Sequence, residues 1–186
     1  MSNDRIDASD RFVSLLRPIE RELEIYCRRM IFESRDAGDA LQNAVLRAYR
    51  AFDRYHEDAS FRAWMFKILT NEIFAMNRRR SRTAKFEVAV EPEEIALLAA
   101  PDPMGEESLR SWEVLAEALD QELVAALKNL SEIERAVLLM RAISDLRYRE
   151  IGETLEIPMG SVMGHLSRAR QKMREAILRA KRRTVV

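Results

Sequence analysis

The residues best suited to bind a ligand lie on a helix predicted to begin after Gly160 or Ser161 and to include Met173, where basic and small polar side chains alternate with apolar ones. Arginine bonds guanine through two donors, serine and glutamine bond bases or phosphates, and flanking cations suit phosphates. One face carries Gly164, Ser167, Arg168 and Gln171, with His165, Arg170 and Lys172 on its flanks. This pattern favours DNA binding, and the alternative is a solvated cationic surface.

Two helices are needed to position these side chains. Tyr148, Ile151 and Leu155 share one face of a first helix, which Pro158 should end near Leu155. Gly160 or Ser161 could cap the next helix. Its buried stripe is predicted to consist of Val162, Leu166, Ala169 and Met173. The segment 146–170 therefore predicts a helix-turn-helix whose second helix enters the major groove.

Composition predicts an all-α protein. The 186 residues are 47% hydrophobic and include only five glycines and five prolines. Net charge is +3 over residues 1–83, −8 over 84–130 and +5 over 131–186, so two cationic ends flank an acidic middle. No apolar run is long enough to cross a membrane and the N-terminus lacks a signal-peptide core, which together predict a cytoplasmic protein without membrane insertion. The single cysteine, Cys27, is expected to be an ordinary half-buried thiol, and the alternative is a redox switch, which no other feature of the sequence supports.

The N-terminal part predicts a domain of its own. Residues 11–33 read as one helix in which Pro18 starts a turn or causes a kink, and Arg35–Gly38 reads as a break. A second helix, 39–53, has its apolar side chains within one sector: Leu41, Val45, Ala48, Tyr49 and Phe52. The other side shows Asp39, Gln42, Asn43, Leu46, Arg47 and Arg50. Two interpretations of Leu46 are open: an ordinary exposed leucine, or a docking point for a protein partner. The residues alone favour the first, because single exposed leucines are common.

A loop at 54–60 and a third helix, Phe61–Asn77, follow. Ser60 or Asp58 could cap this helix. Phe61, Trp64, Met65 and Ile68 should be buried on one side, yet Phe66 and Ile73 lie on the other, so the helix is either central to the domain or offers aromatic rings to a ligand. Rings, Asn71 and the arginine run 78–82 would suit single-stranded DNA. The simpler interpretation places Trp64 in the core and the arginines in solvent.

Residues 84–107 contain three prolines and seven acidic groups and read as a linker. A helix should begin at Ser108, with Trp112, Leu115, Leu119 and Leu123 on one face. Ser131 and Glu134 form a capping-box pattern that opens the next helix, through Ala142. The chain is therefore divided into 1–83, an acidic linker 84–107, and a helix-turn-helix domain 108–186.

Two segments in this order carry a family resemblance. DALQNAVLRAYRAFDRYHEDASFRAWMFKILTNEIFAMNRRR resembles the second conserved region, and LSEIERAVLLMRAISDLRYREIGETLEIPMGSVMGHLSRARQKMRE the fourth region, of bacterial RNA polymerase sigma factors of the extracytoplasmic-function (ECF) type. The resemblance covers about residues 10–83 and 108–180. It implies a non-enzymatic initiation factor that binds core RNA polymerase and promoter DNA, without cofactor or metal. It also implies an anti-sigma partner.

The resemblance implies three sets of site residues. Polymerase binding would fall to Asp39, Leu41, Gln42, Asn43, Leu46, Arg47 and Arg50. The single-stranded −10 element would meet Tyr55, His56, Asp58, Ser60, Phe61, Trp64, Asn71, Arg78, Arg79 and Arg80, with a flipped base held by the loop 55–61. The duplex −35 element would meet Ser161, Met163, Gly164, His165, Ser167, Arg168, Arg170 and Lys172.

Departures from the family pattern concern the same regions. Asn43 stands where an acidic residue is usual, and Ala75 where an aspartate is frequent. The recognition helix commonly reads Thr-Val-Lys-Ser-Arg, but here 161–165 reads Ser-Val-Met-Gly-His. Met163 cannot donate a hydrogen bond, so −35 readout should depend more on Arg168 and Arg170.

Two other classes of function fit the sequence less well. A stand-alone helix-turn-helix regulator would need no second domain, and it usually needs a dimer seam that is not evident here. A nuclease is disfavoured because His56 and His165 are far apart and Asp58, Glu57 and Cys27 lack metal-ligand spacing.

Overall fold

The computed structural model describes residues 2–31, 34–56, 60–84 and 120–184, and throughout these ranges every regular element is helical. The chain divides into two compact units, Met1–Ile95 and Ala96–Val186. Residues 85–119 lie outside the described residues. They include the predicted linker beyond residue 84 and the part of the helix predicted from Ser108 that precedes residue 120.

The described residues of the first unit form four helices: α1 (Ser2–Leu16), α2 (Glu20–Met30), α3 (Ser34–Ala51) and α4 (Phe61–Ala84). Short 3₁₀ turns occupy Arg17–Ile19 and Phe52–Arg54. The first turn carries Pro18, so the single helix predicted for 11–33 is interrupted there, as one of the alternatives for this proline allowed.

Helix α3 begins earlier than predicted, so the prediction of a break at Arg35–Gly38 is wrong. A stripe of small side chains explains the difference, because Ala37, Ala40, Ala44 and Ala48 are all at most 3% exposed. Small residues let helices approach closely, and α3 packs on both α2 and α4. The predicted apolar sector is therefore displaced. Of its members, Ala48 and Phe52 are buried, Leu41 and Val45 are half-buried, and Tyr49 is 45% exposed.

Helix α4 is central to the first unit. Met65, Phe66, Leu69 and Ile73 are fully buried, which settles that Phe66 and Ile73 are core rather than ligand-facing. The Thr70 hydroxyl lies 2.9 Å from the hydroxyl of the buried Tyr26, which satisfies both groups and ties α4 to α2.

The second unit contains α5 (Asp120–Lys128), α6 (Glu132–Ser144), α7 (Tyr148–Leu155) and α8 (Met159–Thr184). The predicted capping box is confirmed: Glu134 N–H donates to Ser131 Oγ at 3.3 Å, and Ser131 N–H donates to Glu134 Oε2 at 3.0 Å. Helix α6 runs two residues past Ala142 and ends at Asp145 in the left-handed conformation. Leu123, Leu127 and Leu130 are buried in this unit.

Candidate nucleic-acid interface

The two helices of the helix-turn-helix are joined by a tight turn that packs against Gly152 of α7. Helix α7 ends at Leu155, as predicted, and Glu156 adopts a left-handed conformation with φ 57°. The Ile157 N–H then donates to Gly152 O at 3.0 Å. A Cβ at Gly152 would lie 2.9 Å from Ile157 O, so the turn packs directly against the glycine backbone.

Helix α8 starts at Met159, before both residues that were predicted to cap it. The Ser161 and Val162 N–H groups donate to Pro158 O at 2.9 and 3.2 Å, so Pro158 occupies the position before the first helical residue. Gly160 and Ser161 are inside the helix. The cap prediction is therefore wrong, because the tight turn brings the chain into helical conformation directly after the proline.

The predicted inner stripe of α8 is confirmed. Val162, Leu166, Ala169 and Met173 are each at most 2% exposed. This stripe packs α8 on α5, α6 and α7. Because this stripe is buried along the first half of α8, the side chains on the opposite side of the helix face solvent.

The outer stripe of α8 contains Met163, Ser167, Arg170 and Arg174, spaced four, three and four residues apart. Met163 is 38% exposed, and Arg174 is exposed as well. Gln171 is exposed beside this stripe, next to the half-buried Gly164. Sequence reasoning missed Arg174, although its spacing from Arg170 carries the signal.

Three of the predicted DNA-contacting residues lie on the other flank of α8, around a carboxylate from α6. Lys172 Nζ donates to both oxygens of Glu134, at 3.1 and 2.8 Å, and Arg168 Nε lies 3.5 Å from Glu134 Oε1. The Glu134 side chain is only 4% exposed. Arg168 Nη2 also lies 3.1 Å from His165 Nδ1. These cations therefore have intramolecular partners.

The electrostatics of this flank follow from burial and from the ion pairs. Burial opposes ionisation of Glu134, but hydrogen bonds from Lys172 and the Ser131 backbone outweigh it and hold the pKa of Glu134 below its usual value. Burial, and then the charge of Arg168, lower the pKa of His165. Both effects favour the neutral form of the His165 ring.

In the first unit, the outward face of α3 exposes all but one of the residues predicted for polymerase binding. Leu46 is 47% exposed, and Leu41 is half-buried. The exposed polar members are Asp39, Gln42, Asn43, Arg47 and Arg50. Arg47 forms an ion pair with Glu72 of α4, which orients its guanidinium along the helix surface.

An aromatic cluster lies at the start of α4. The Tyr55 ring lies 5.4 Å from the Phe61 ring and 5.2 Å from the Trp64 ring, measured between centroids. Phe61 is 7% exposed, whereas Tyr55 and Trp64 are half-buried. Ser60 Oγ accepts from Ala63 N–H at 3.3 Å, which confirms Ser60 as a cap. His56 is exposed, and Asp58 lies outside the described residues.

The outer face of α4 continues from this cluster. Trp64, Asn71 and Arg78 recur every seven residues, which brings them to one side of the helix, and Asn71 and Arg78 are exposed. Lys67 and Phe74 lie between them and are half-buried. The helix continues through the arginine run instead of ending at Asn77.

The arginine run divides between two sides of α4. Arg79 is exposed, whereas Arg80 forms an ion pair with Asp36 of α3. The structure therefore groups Trp64, Asn71 and Arg78, and it places Arg80 on the side that faces α3.

Chemistry outside these surfaces is limited. Cys27 is 1% exposed rather than half-buried, its thiol donates to Ala37 O at 3.2 Å, and burial raises its pKa to about 12. Among the residues whose placement is described, no three His, Cys, Asp or Glu side chains are grouped to hold a metal. Within the same ranges, no helix has an apolar stretch that could cross a bilayer.

A helix-turn-helix unit and a separate helical unit with a half-buried aromatic cluster define a two-domain, all-α protein of the DNA-binding class. Family models agree with this class: sigma-70 region 2 matches residues 15–83, and sigma-70 region 4 matches residues 120–173. The ECF RNA polymerase sigma-E factor of Escherichia coli is 30% identical over 74% of this chain and 72% of its own length. The chain belongs to the ECF sigma factors of the sigma-70 family.

Two further relatives frame this assignment. The SigE sigma factor of Mycolicibacterium smegmatis is 31% identical over 79% of this chain, but the chain spans only 54% of the length of that relative. A solved structure of the sigma factor RpoE in complex with the anti-sigma factor NepR, from Bartonella quintana, has a TM-score of 0.69 and 22% identity. It covers 89% of this chain and 96% of its own, which supports the all-helical fold.

Proposed function

We propose that this chain binds core RNA polymerase and directs it to promoters, where it reads duplex DNA at the −35 element and holds the separated strand at the −10 element. Residues 1–83 would bind polymerase and open DNA, 84–107 would link, and 108–186 would read the duplex. The observation that carries this proposal is the presence, in one chain, of an exposed recognition stripe on α8 and a separate unit with an exposed apolar and aromatic surface. A stand-alone duplex binder has no need of the second surface.

Polymerase docking is assigned to the outward face of α3. Leu46 is nearly half exposed among polar and charged neighbours, so it offers apolar area to a partner at little conformational cost. Polar contacts around Leu46 would come from Asp39, Gln42, Asn43, Arg47 and Arg50. The half-buried Leu41 would add apolar area on the same helix.

Strand separation is assigned to the start and outer face of α4. Half-buried Tyr55 and Trp64 have ring surface for stacking, which is worth about 1–3 kcal/mol per base in single-strand binders. His56, Ser60 and Phe61 border that cluster, and Asp58 is assigned with them from the sequence alone. Asn71 would bond the edge of an extruded base, and Arg78 and Arg79 would bind the strand backbone.

Duplex reading is assigned to α8. Met163, which is exposed, and Ser167 and Arg170, which are half-buried, form the outer stripe that would face base edges and phosphates, with Gly164 allowing close approach of the helix. Ser161, His165, Arg168 and Lys172 would border the groove on the other flank.

The remaining assignments follow the family. We infer that the chain acts in the cytoplasm as a non-enzymatic factor and that an anti-sigma factor binds it, since a neighbour of the same fold is described in complex with NepR. No cofactor is required for strand separation, because base stacking and phosphate contacts supply the binding energy.

The proposal is tested by mixing the purified chain with core polymerase and a promoter library and mapping transcript starts. Leu46→Ala should abolish core binding, whereas Leu178→Ala, which truncates a leucine of similar exposure at 50%, should not. Asn71→Ala should leave core binding intact and lower the permanganate reactivity of unpaired promoter thymines. A wild-type chain that binds duplex DNA but not core polymerase would instead establish a stand-alone regulator.

A further inference from the structure

We propose that Glu134 is a positioning residue that holds Lys172 and Arg168 of the recognition helix away from DNA phosphates. This inference rests on the proposed reading of duplex DNA by α8. An internal carboxylate would thereby limit the number of phosphate contacts and set the salt dependence of promoter binding.

The geometry of Glu134 gives it two simultaneous roles. Its Oε2 accepts from Ser131 N–H at 3.0 Å and from Lys172 Nζ at 2.8 Å. Its Oε1 accepts from Lys172 Nζ at 3.1 Å and lies 3.5 Å from Arg168 Nε. The carboxylate that completes the cap of α6 therefore also binds the flank of α8, 38 residues further along the chain.

Burial makes this attachment persistent. The Glu134 side chain is 4% exposed, whereas the side chains of Lys172 and Arg168 are 46% and 32% exposed. A buried carboxylate that loses its cation is left as an uncompensated charge, which is strongly unfavourable. A DNA phosphate that approaches Lys172 must therefore compete with the Glu134 carboxylate, which water cannot reach to replace the lost cation. Lys172 should stay on Glu134 when DNA binds, and the phosphate contacts should fall to Arg170 and Arg174.

The test uses Glu134→Gln, which keeps the shape of the side chain and, because glutamine also serves in capping boxes, the cap of α6. Holoenzyme would be assembled with wild-type or variant full-length chain. Its affinity would be measured across a salt series on a duplex that the wild-type holoenzyme selects from a random library. With Lys172 and Arg168 released, affinity should rise. The slope of log affinity against log salt should steepen by about 0.9 for each new phosphate contact.

A matched control separates this effect from net charge. Glu24→Gln removes one negative charge and one exposed ion pair, with Arg28, in the other unit. It should leave affinity and slope as in the wild type. An equal effect of both variants would overturn the proposal, as would a Glu134→Gln chain that folds with wild-type slope and affinity.

Lys172→Met decides the matter if Glu134→Gln does not fold, because Arg168, 3.5 Å from Glu134, remains as a cation beside the carboxylate. Because Lys172 is held by Glu134 rather than by DNA, Lys172→Met should leave the salt slope unchanged. A slope shallower by about 0.9 would show that Lys172 contacts a phosphate and would overturn the inference while the proposed function stands. If the wild-type holoenzyme selects no duplex at all, the proposed function itself is refuted and this inference falls with it.

Discussion

Gly152→Val should destabilise the helix-turn-helix, because the turn leaves almost no room at this position. A Cβ would already lie 2.9 Å from Ile157 O, against ordinary contact at 3.4 Å or more, and 3.7 Å from Val162 Cγ2. Alanine already makes this contact, and because Ile157 O is a backbone atom of the turn, about 1 kcal/mol of gained helix propensity does not remove the clash. Valine adds two methyl groups at the same place, and overpacking of this kind costs about 1–3 kcal/mol. We expect a loss of about 2 kcal/mol, or about 8–16 °C in the melting temperature of a domain this small.

Hydrogen exchange measured by mass spectrometry suits this prediction, because it reports the stability of each unit of the full chain separately. Protection should fall in α7 and α8 for Gly152→Val, and to a smaller extent for Gly152→Ala. Gly38→Ala is the control: nothing lies within 4 Å of its Cβ position, so it should stabilise the first unit by about 0.5–1 kcal/mol. If Gly152→Val were as stable as the wild type, the steric argument for a glycine at the turn would be refuted.

Three other predictions concern individual side chains. Met163→Lys should strengthen duplex binding and steepen its salt slope by about 0.9, because Met163 is exposed on the outer stripe of α8; unchanged affinity and slope in a salt titration would refute this. Cys27 should resist maleimide at pH 8 in the native chain and react in urea, because burial raises its pKa to about 12; rapid native labelling seen by mass spectrometry would contradict this. Burial and Arg168 lower the pKa of His165, so the unfolded chain takes up its proton first as pH falls below about 6.5, and the second unit should lose stability there. An NMR titration of the His165 ring with a midpoint at or above 6.5 would count against that prediction.

Most of the second unit could be predicted from the sequence because its signals are local. Apolar residues at helical spacing placed the inner stripe of α8, and two residues three apart specified the cap of α6. The start of α8 was predicted three residues too late with Ser161 as the cap, or two with Gly160, since a turn held by Gly152 and Ile157 replaces the side-chain cap that serine suggested.

The first unit was harder to predict, because its packing relies on small residues. A search for large apolar side chains finds Leu41 and Tyr49, yet the buried stripe of α3 is made of alanines. The glycine at position 38 suggested a break, but close packing of the alanine stripe carries the helix through it. Propensity is a weak guide wherever tertiary contacts compensate it.

Ion pairs between helices were outside the reach of sequence reasoning. Glu134 and Lys172 are 38 residues apart, and only the folded unit brings them together. The same holds for Arg80, which read as part of one cationic run but turns toward Asp36. A periodic pattern identifies a face of a helix, but it does not identify the neighbour that covers that face.

The two ion pairs between α3 and α4 also have a mechanical consequence. Asp36, near the beginning of α3, forms an ion pair with Arg80, near the end of α4. Arg47, further along α3, forms a second ion pair with Glu72, which lies earlier on α4. The two antiparallel helices are therefore joined by ion pairs at two points. Helices α3 and α4 also pack against each other, so a displacement of α3 by a bound partner should move α4 with it.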